Sequence, residues 1–299
     1  MPELPEVHTV KLSLEKNIIN KKIKDVVMNY SNGLSDKAIN RMFRKQSFDY
    51  IINNLKESVF INVERRGKNL IGIVDKNGES LFILVHLGMA GAWIYSENES
   101  DIVNKFRKHI HVKIIFDDNT ILTYCDIRRQ GGFSVHNYKE FKSIMEKKNL
   151  GPEPFQDNTM EIVLSTLRSN KWMNQNHKGN SDKKTIKAAL MDQTVMAGTG
   201  NIYACEALFE TKVNPYTKIW ELSDEKIIEI FSKSRDLMCL SIKVGGTTFR
   251  DYVNGEGMTG GFQNYLKVYG KKTCPECSSN IISKIIAGRT THWCPSCQQ

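Results

Sequence analysis

The chain has 299 residues, of which 40% are hydrophobic and 25% charged, a composition typical of a soluble globular protein. This length allows two domains, and no apolar run approaches the roughly 18 residues of a membrane span. A formal net charge of +9 favours a polyanionic partner, most simply nucleic acid. Acidic residues come first at the amino end, unlike in a signal peptide, so we expect an intracellular protein.

The first 135 residues are predicted to be mostly β-structure behind one leading helix. Residues 3–17 carry apolar side chains at helical spacing, and Glu3 and Glu6 lie in the first turn, where the helix dipole favours acids. A buried apolar strand ends at Gly88, and a hairpin is predicted from "HIHVKIIF", "DDNT" and "ILTYCDI".

The second half changes character after a polar, Pro/Gly-punctuated segment, "KKNLGPEPFQDN", which is typical of a linker. Helical patterns follow it. A glycine-rich stretch, "GGTTFRDYVNGEGMTGG", then predicts a long mobile loop, and long loops in compact domains are usually functional or disordered.

Four of the seven cysteines form two C-x2-C pairs near the end of the chain: Cys274, Cys277, Cys294 and Cys297. Sixteen residues separate the pairs, a spacing that predicts one structural zinc ion held by four thiolates. The alternative, a pair of reducible disulfides, is disfavoured in an intracellular chain. The sequence does not indicate a role for the three remaining cysteines, Cys125, Cys205 and Cys239.

Two further features suggest phosphate contacts. Gly198 and Gly200 precede Asn201 and a predicted helix, whose unpaired N–H groups favour an anion, while Lys187 lies on the preceding helix. Arg289 falls near the tip of a hairpin predicted between the two cysteine pairs. Each has an ordinary alternative, since many helices begin after glycine and many turns expose an arginine.

Taken in order, these segments resemble the Fpg/Nei family of bifunctional DNA glycosylases. The resemblance spans the chain through "MPELPEV", "ERRGKNL", "HLGMAG", "CDIRRQGG", "LGPEP", "IKAALMDQTVMAGTGNIYACEALF" and the four cysteines. The glycine-rich loop and "FQNYLKVYG" are closer to the formamidopyrimidine glycosylase branch than to the endonuclease VIII branch.

The resemblance implies an α+β multidomain fold. It consists of an N-terminal two-sheet β-sandwich with a leading α-helix, followed by a helix–two-turn–helix domain with a zinc β-hairpin finger. The implied segments are a catalytic domain at 1–135, a linker at 136–160, a DNA-binding domain with a lesion-capping loop at 161–261, and the finger at 262–299.

The resemblance also explains the opening "MPELPEV". In the family Met1 is removed, and Pro2 then presents a secondary amine as the nucleophile. An α-amine has a pKa of about 7.7–8.0, so much of it is neutral at working pH. Attack on sugar C1′ gives a charged iminium that can drive elimination of the flanking phosphates. Glu3 would shuttle protons, Glu6 would assist, and Lys68 would bind phosphate beside the lesion.

The residues implied as catalytic are Pro2, Glu3, Lys68 and Arg289. Without the resemblance, the acids would be read as ordinary helix-N-terminal residues and Lys68 as a solvated charge at a strand end.

The target base must leave the duplex, and in the family a Met, an Arg and a Phe fill the resulting hole. Met89 and Arg128 match, but Gln130 replaces the Phe and offers no aromatic wedge. This departure puts lesion search and opposite-base preference in doubt. The implied DNA contacts are Met89, Arg128, Gln130, Lys187, Asn201 and His109. The implied lesion-loop contacts are Thr247, Thr248, Arg250 and Tyr252.

The expected function is excision of oxidised purines, chiefly 8-oxoguanine and formamidopyrimidines, with cleavage of the abasic site by β,δ-elimination. The expected partner is double-stranded DNA containing oxidised bases or abasic sites, bound by a monomer with one structural zinc ion. Two alternatives remain open at this point: an endonuclease VIII-like enzyme for oxidised pyrimidines, and a non-catalytic zinc-ribbon DNA-binding protein.

Overall fold

The computed structural model describes residues 2–29, 33–174, 184–248 and 251–299. It divides into two compact units: unit 1 comprises Met1–Lys148 and Ile242–Gln263, and unit 2 comprises Asn149–Ser241 and Asn264–Gln299. The glycine-rich loop, residues 245–261, thus belongs to unit 1, although it follows the helical region in sequence. The four functional segments expected from sequence stay a prediction. Among the described helices, none is both long and apolar enough to cross a membrane.

Unit 1 is built on strands. They are β1 (Ile23–Met28), β2 (Val59–Arg66), β3 (Asn69–Lys76), β4 (Glu79–His86), β5 (Gly91–Ser96), β6 (Ile110–Phe116), β7 (Ile121–Asp126) and β8 (Gly132–Asn137). One antiparallel sheet has the order β1-β6-β7-β5 and the other β2-β3-β4-β8. The predicted hairpin is confirmed as β6–β7, which pairs Ile114 with Leu122.

A single apolar cluster fills the space between the two sheets. Phe60 and Val85 come from one sheet, Phe116 and Tyr124 come from the other, and all four are buried in the same cluster. The leading helix, α1 (Leu4–Ile18), adds its apolar side to this cluster. Burial of apolar side chains from both sheets drives this packing, since one face of each sheet must leave water. The predicted β-sandwich with a leading helix is confirmed.

Unit 1 also contains short helices that the sequence patterns did not predict. They are α2 (Asp36–Met42), α3 (Phe48–Leu55), α4 (Asn104–Arg107) and α5 (Tyr138–Lys147). The leading helix is present, but the expectation that it is the only helix within the first 135 residues was wrong, since α2, α3 and α4 also lie there. Serine caps begin two of them, since Ser35 accepts from Ala38 N and Ser47 from Tyr50 N. Seven- and eight-residue helices show too few turns for a clear apolar period.

Unit 2 is mainly helical. Its elements are α6 (Thr159–Leu167), α7 (Asn170–Met173), α8 (Ile186–Met191), α9 (Asn201–Glu210), α10 (Asp224–Lys243, assigned to this unit up to Ser241), β9 (Ile282–Ile286) and β10 (Arg289–Trp293). The predicted linker segment has neither helix nor strand between Lys148 and Asn158. The predicted helices and the hairpin between the cysteine pairs are confirmed.

A buried carboxylate ties α9 to the chain that leads into the finger. Glu206 is 2% exposed and accepts hydrogen bonds from the backbone N–H groups of Lys267, Val268 and Tyr269 at 2.8, 3.0 and 2.7 Å. Burial raises the pKa of Glu206, and these three donors act against that rise. The acid thus satisfies backbone donors that would otherwise be buried without partners.

Candidate catalytic and DNA-binding site

The amino-terminal segment is held by reciprocal hydrogen bonds. Glu3 is the N-cap of α1: its backbone N–H donates to Glu6 Oε2 at 2.8 Å, and its side chain accepts from the backbone N–H of Glu6. Pro2, Glu3 and Glu6 are all buried. Pro2 therefore lies at the start of a helix, where the dipole disfavours a cation and favours a neutral amine.

The same helix holds the glycine-rich loop. The other oxygen of Glu6, Oε1, accepts a hydrogen bond from Thr247 N at 2.9 Å. The Tyr252 hydroxyl contacts Thr9 Oγ1 and donates to the carbonyls of Glu6 and Gly245 at 3.2 and 3.3 Å. Burial raises the pKa of Tyr252 far above its ordinary value, so this hydroxyl stays protonated. The described part of the loop is thus anchored at two points on α1.

The loop also bonds to itself. Thr248 Oγ1 donates to Tyr252 O at 3.2 Å and accepts from Gly260 N at 2.8 Å. Thr248 N donates to Gln263 Oε1 at 3.0 Å. Arg250, the remaining predicted loop contact, lies outside the described residues.

Lys68 occupies a tight turn. It follows Gly67, whose φ is 56°, in the two-residue connection between β2 and β3, where Arg66 pairs with Asn69. A positive φ here suits glycine and directs the chain straight back into the next strand. Lys68 therefore lies in the turn at one end of the hairpin formed by β2 and β3.

Two loops bearing predicted duplex contacts lie against each other. Gly88 has φ +65°, and a Cβ there would come within 2.5 Å of Gly131 N. Met89 is 41% exposed, and Gln130 is exposed on the neighbouring loop. Because the two backbones touch, the methionine and the glutamine are positioned together.

Asp126 braces the second of these loops. It is fully buried and accepts from Arg128 N at 3.0 Å, Gly131 N at 2.7 Å and the Tyr124 hydroxyl at 3.2 Å. Its own N–H donates to the carbonyl of His109, which places that histidine beside the loop. Three donors on one carboxylate fix the backbone from which Arg128 projects.

The Arg128 guanidinium faces an acid from the glycine-rich loop. Its Nη2 lies 3.4 Å from Asp251 Oδ2, and Lys105 Nζ lies 2.6 Å from Asp251 Oδ1. The hydrogen bond from Lys105, followed by the charge of that lysine and of Arg128, lowers the pKa of Asp251. One carboxylate therefore partly neutralises two cations on this face of unit 1.

In unit 2 the glycine turn and the finger meet. Lys187 is fully buried and donates to Asn201 O at 3.2 Å and to Cys205 Sγ at 3.3 Å. Asn201 Nδ2 donates to Thr290 O at 2.7 Å, and within the described residues its Oδ1 is buried without a hydrogen-bond partner. Lys187 thus supports the turn from beneath, and its expected phosphate contact stays a prediction.

Arg289 lies at the tip of the finger hairpin. It pairs with Ile286 across the two-residue turn Ala287–Gly288, whose φ angles are 49° and 74°. Two positive φ values are typical of a type I′ turn, which tightens a hairpin. The side chain of Arg289 is exposed, and the sequence-based placement near the tip is confirmed.

The four cysteines of the two C-x2-C pairs converge in one cluster. Their sulfurs all lie within 4.8 Å of one another, with Cys274–Cys297 at 3.8 Å and Cys277–Cys294 at 3.4 Å. A tetrahedral site with Zn–S bonds of about 2.3 Å requires sulfurs roughly 3.8 Å apart. The donor set and spacing therefore fit one zinc ion held by four thiolates.

Several site residues were missed by the sequence patterns. Asp126, Asp251 and Cys205 contact predicted site residues in the folded structure, and no regular spacing in the sequence indicated these contacts. Thr9 contacts Tyr252 across 243 positions. Asp126, Asp251 and Cys205 all lie within segments quoted above, but the motifs alone did not indicate these contacts.

Comparison with known families covers most of the chain. The formamidopyrimidine-DNA glycosylase N-terminal domain matches residues 1–133, and the formamidopyrimidine-DNA glycosylase H2TH domain matches residues 150–253. A formamidopyrimidine-DNA glycosylase of Bacillus cereus is 33% identical over 301 residues, covering 100% of this chain and 99% of the relative. One from Listeria monocytogenes is 34% identical over 302 residues, covering 100% of both chains.

Solved structures agree with these relatives. A mutant Lactococcus lactis Fpg in complex with Fapy-dG-containing DNA superposes with a TM-score of 0.82 at 31% identity, covering 100% of both chains. Lactococcus lactis Fpg in complex with abasic-site DNA gives 0.81 at 31% identity and covers 99% of both chains. Since both matched domains, the full-length relatives and the fold agree, the chain belongs to the formamidopyrimidine-DNA glycosylase family.

Proposed function

We propose that this DNA glycosylase removes oxidised purines, chiefly 8-oxoguanine and formamidopyrimidines, from duplex DNA and cuts the resulting abasic site. The observation that carries the proposal is the amino-terminal geometry: Pro2 lies buried at the start of α1, next to an acid held in a capping box. A Lactococcus lactis relative solved with Fapy-dG-containing DNA supports the formamidopyrimidine substrate, and the one solved with abasic-site DNA supports action on abasic sites.

The chemistry follows from a neutral secondary amine. Once Met1 is removed, the Pro2 nitrogen donates its lone pair to sugar C1′ as the bond from C1′ to the damaged base breaks, and the proton of the amine is transferred to the departing base. Breaking the C1′–O4′ bond sends its electron pair to O4′, which takes a proton, and leaves a C1′=N⁺ iminium. Glu3 is the acid next to the nucleophile and is suited to move this proton.

The iminium then drives strand cleavage. Because it withdraws electrons, the C2′ proton becomes acidic, and its loss expels the 3′ phosphate. Loss of the C4′ proton expels the 5′ phosphate in the same manner, and water finally releases the sugar fragment from Pro2. Lys68 would bind the phosphate beside the lesion.

Duplex binding uses both units. Met89, Arg128 and Gln130 would enter the space left by the flipped base, with a glutamine amide in place of an aromatic ring. The backbone phosphates would contact Asn201 and Arg289, and contacts of this kind position DNA without reading its sequence. Zinc bound by the four cysteines would hold the finger hairpin that carries Arg289, supplying structure and no catalytic step.

Borohydride trapping with duplexes containing 8-oxoguanine or thymine glycol tests the proposal. We expect a covalent adduct with the 8-oxoguanine duplex that disappears when one extra residue precedes Pro2, because the amine is then an amide. Pro5→Ala is the matched control, since it changes the other proline of the opening heptapeptide without touching the terminus.

The outcomes separate the alternatives. Faster processing of thymine glycol would instead indicate an enzyme for oxidised pyrimidines. Duplex binding without adduct or nicking would indicate a non-catalytic DNA-binding protein. Full activity of the blocked chain would overturn the role of Pro2.

A further inference from the structure

We infer that Glu6 is a positioning residue that fixes the nucleophile and the base-binding loop relative to each other. We further infer that this alignment matters more for base excision than for strand cleavage. The inference rests on the proposed function and assigns it one further residue. It starts from a single buried carboxylate whose two oxygens serve two different segments of unit 1.

The first oxygen belongs to the amino terminus. Glu6 Oε2 accepts from the backbone N–H of Glu3 at 2.8 Å and closes the capping box next to Pro2. The second oxygen belongs to the loop, since Oε1 accepts from Thr247 N at 2.9 Å across 241 positions of sequence. Glu6 is only 2% exposed, so water does not compete well for either bond.

Neighbouring contacts keep this bridge from shifting. The Tyr252 hydroxyl donates to the backbone carbonyls of Glu6 and Gly245, on either side of the bridge. At Gly246, φ is +90° and a Cβ would lie 3.0 Å from the Tyr252 ring, so the chain approaches that ring as closely as glycine permits. The loop segment beginning at Thr247 therefore starts from a fixed point on α1.

The two proposed reactions, base excision and strand cleavage, depend on this alignment of nucleophile and loop to different degrees. Base excision requires that the loop hold the base while Pro2 meets C1′, so a shift between them misaligns the breaking bond. Cleavage of a preformed abasic site involves no base, and only Pro2 and the sugar must meet. Weakening the loop end of the bridge should therefore slow excision selectively.

Two variants test the bridge. In Glu6→Gln the amide keeps one acceptor oxygen and replaces the other by a donor, so it can serve only one of the two N–H groups. Thr247→Pro removes the loop donor, together with the Thr247 side chain, and leaves the capping box of α1 intact. Glu15→Gln, on the same helix and paired with Lys11, is the matched control.

The readouts are single-turnover rates on an 8-oxoguanine duplex and on a preformed abasic duplex. We expect Thr247→Pro to lower excision about 10- to 100-fold, the loss of one hydrogen bond to a charged acceptor, with a much smaller change in abasic cleavage. Glu6→Gln should lower excision at least as far, and Glu15→Gln should change neither rate. Equal losses in both reactions, or unchanged excision, would overturn the inference.

Amide hydrogen exchange of the DNA-free protein gives a readout that does not depend on activity. Peptides covering Glu3 and Thr247 should be protected in the wild type and exchange faster in Glu6→Gln, while peptides of unit 2 exchange as in the wild type. Unprotected amides in the wild type would contradict the bridge itself. A wild type inert on both duplexes, with protected amides, would instead overturn the proposed function and with it this role.

Discussion

The β-sandwich of unit 1 and the finger hairpin of unit 2 achieve order by different means. The sandwich buries one continuous apolar cluster drawn from both sheets and α1. The hairpin of β9 and β10 buries Ile286 and Trp293 but leaves Ile285 71% exposed. A two-stranded hairpin is marginal alone, so four converging cysteines must supply what apolar burial does not. Apolar burial thus orders the sandwich, and thiolate ligation of a metal ion is expected to order the finger hairpin.

Removing the metal is expected to have the largest effect. A structural zinc site contributes about 10–16 kcal/mol, so a chelator or Cys277→Ser should unfold the hairpin while the sandwich stays folded. Cys277 is exposed, so the variant leaves no cavity. Amide exchange of residues 272–299 should rise, and duplex affinity should fall as Arg289 loses its position. Cys239→Ser, outside the cluster, is the control, and an unchanged hairpin after chelation would contradict the zinc assignment.

The stability of the sandwich should be most sensitive to substitution where its aromatic rings pack together. Phe133 is fully buried against Phe43, Trp93 and Tyr124, with ring centroids 5.1–5.8 Å away. Phe133→Ala should lower the free energy of unfolding by about 3–5 kcal/mol, because it leaves a cavity in the core. Chemical denaturation measures the change, and Phe155→Ala, at a 39% exposed position, should cost far less. A loss below 1 kcal/mol would argue against one shared core.

Glu206 tests whether unit 2 depends on the metal alone. Glu206→Gln keeps one acceptor oxygen for three backbone donors, so it should cost about 1.5–3 kcal/mol even with zinc bound. Thermal unfolding of zinc-loaded protein measures this, and the exposed Glu229→Gln on α10 is the control. Equal melting temperatures for both variants would show that the four cysteines, and not Glu206, stabilise the finger.

The smallest effect concerns pH. Tyr252 has a pKa raised by burial above its ordinary value of 10.0, so its proton stays bound in the folded state where the unfolded chain loses it. Below pH 10 its contribution is fully present. Above pH 10 stability should fall by about 1.4 kcal/mol per pH unit. Tyr252→Phe should lessen this alkaline slope and cost about 1 kcal/mol at neutral pH.

Urea denaturation between pH 8 and pH 11 measures the slope. Tyr138→Phe, at a 61% exposed tyrosine, should leave it unchanged. An alkaline slope identical in both variants would show that Tyr252 does not carry the linkage.

Sequence patterns predicted much of this fold, and the reason is locality. The helical spacing of residues 3–17 and the hairpin of β6 and β7 depend on neighbours in the chain, and both are confirmed. The short helices α2 and α3 were missed because seven or eight residues carry too little periodicity. The sequence motifs indicated which residues belong to the site, but they did not indicate which other residues those side chains contact.

The sequence by itself determined the cysteine spacing, the amino-terminal proline with its acids, and the glycine turn before Asn201, because each lies within a few residues of chain. Only the tertiary structure decided that Glu6 joins Glu3 to Thr247, that Lys187 is buried under Asn201, and that Asp251 faces Arg128. Contacts of this kind depend on strand register and core packing, which bring distant segments within hydrogen-bonding range. A local pattern specifies which side chains are available, and packing specifies which of them meet.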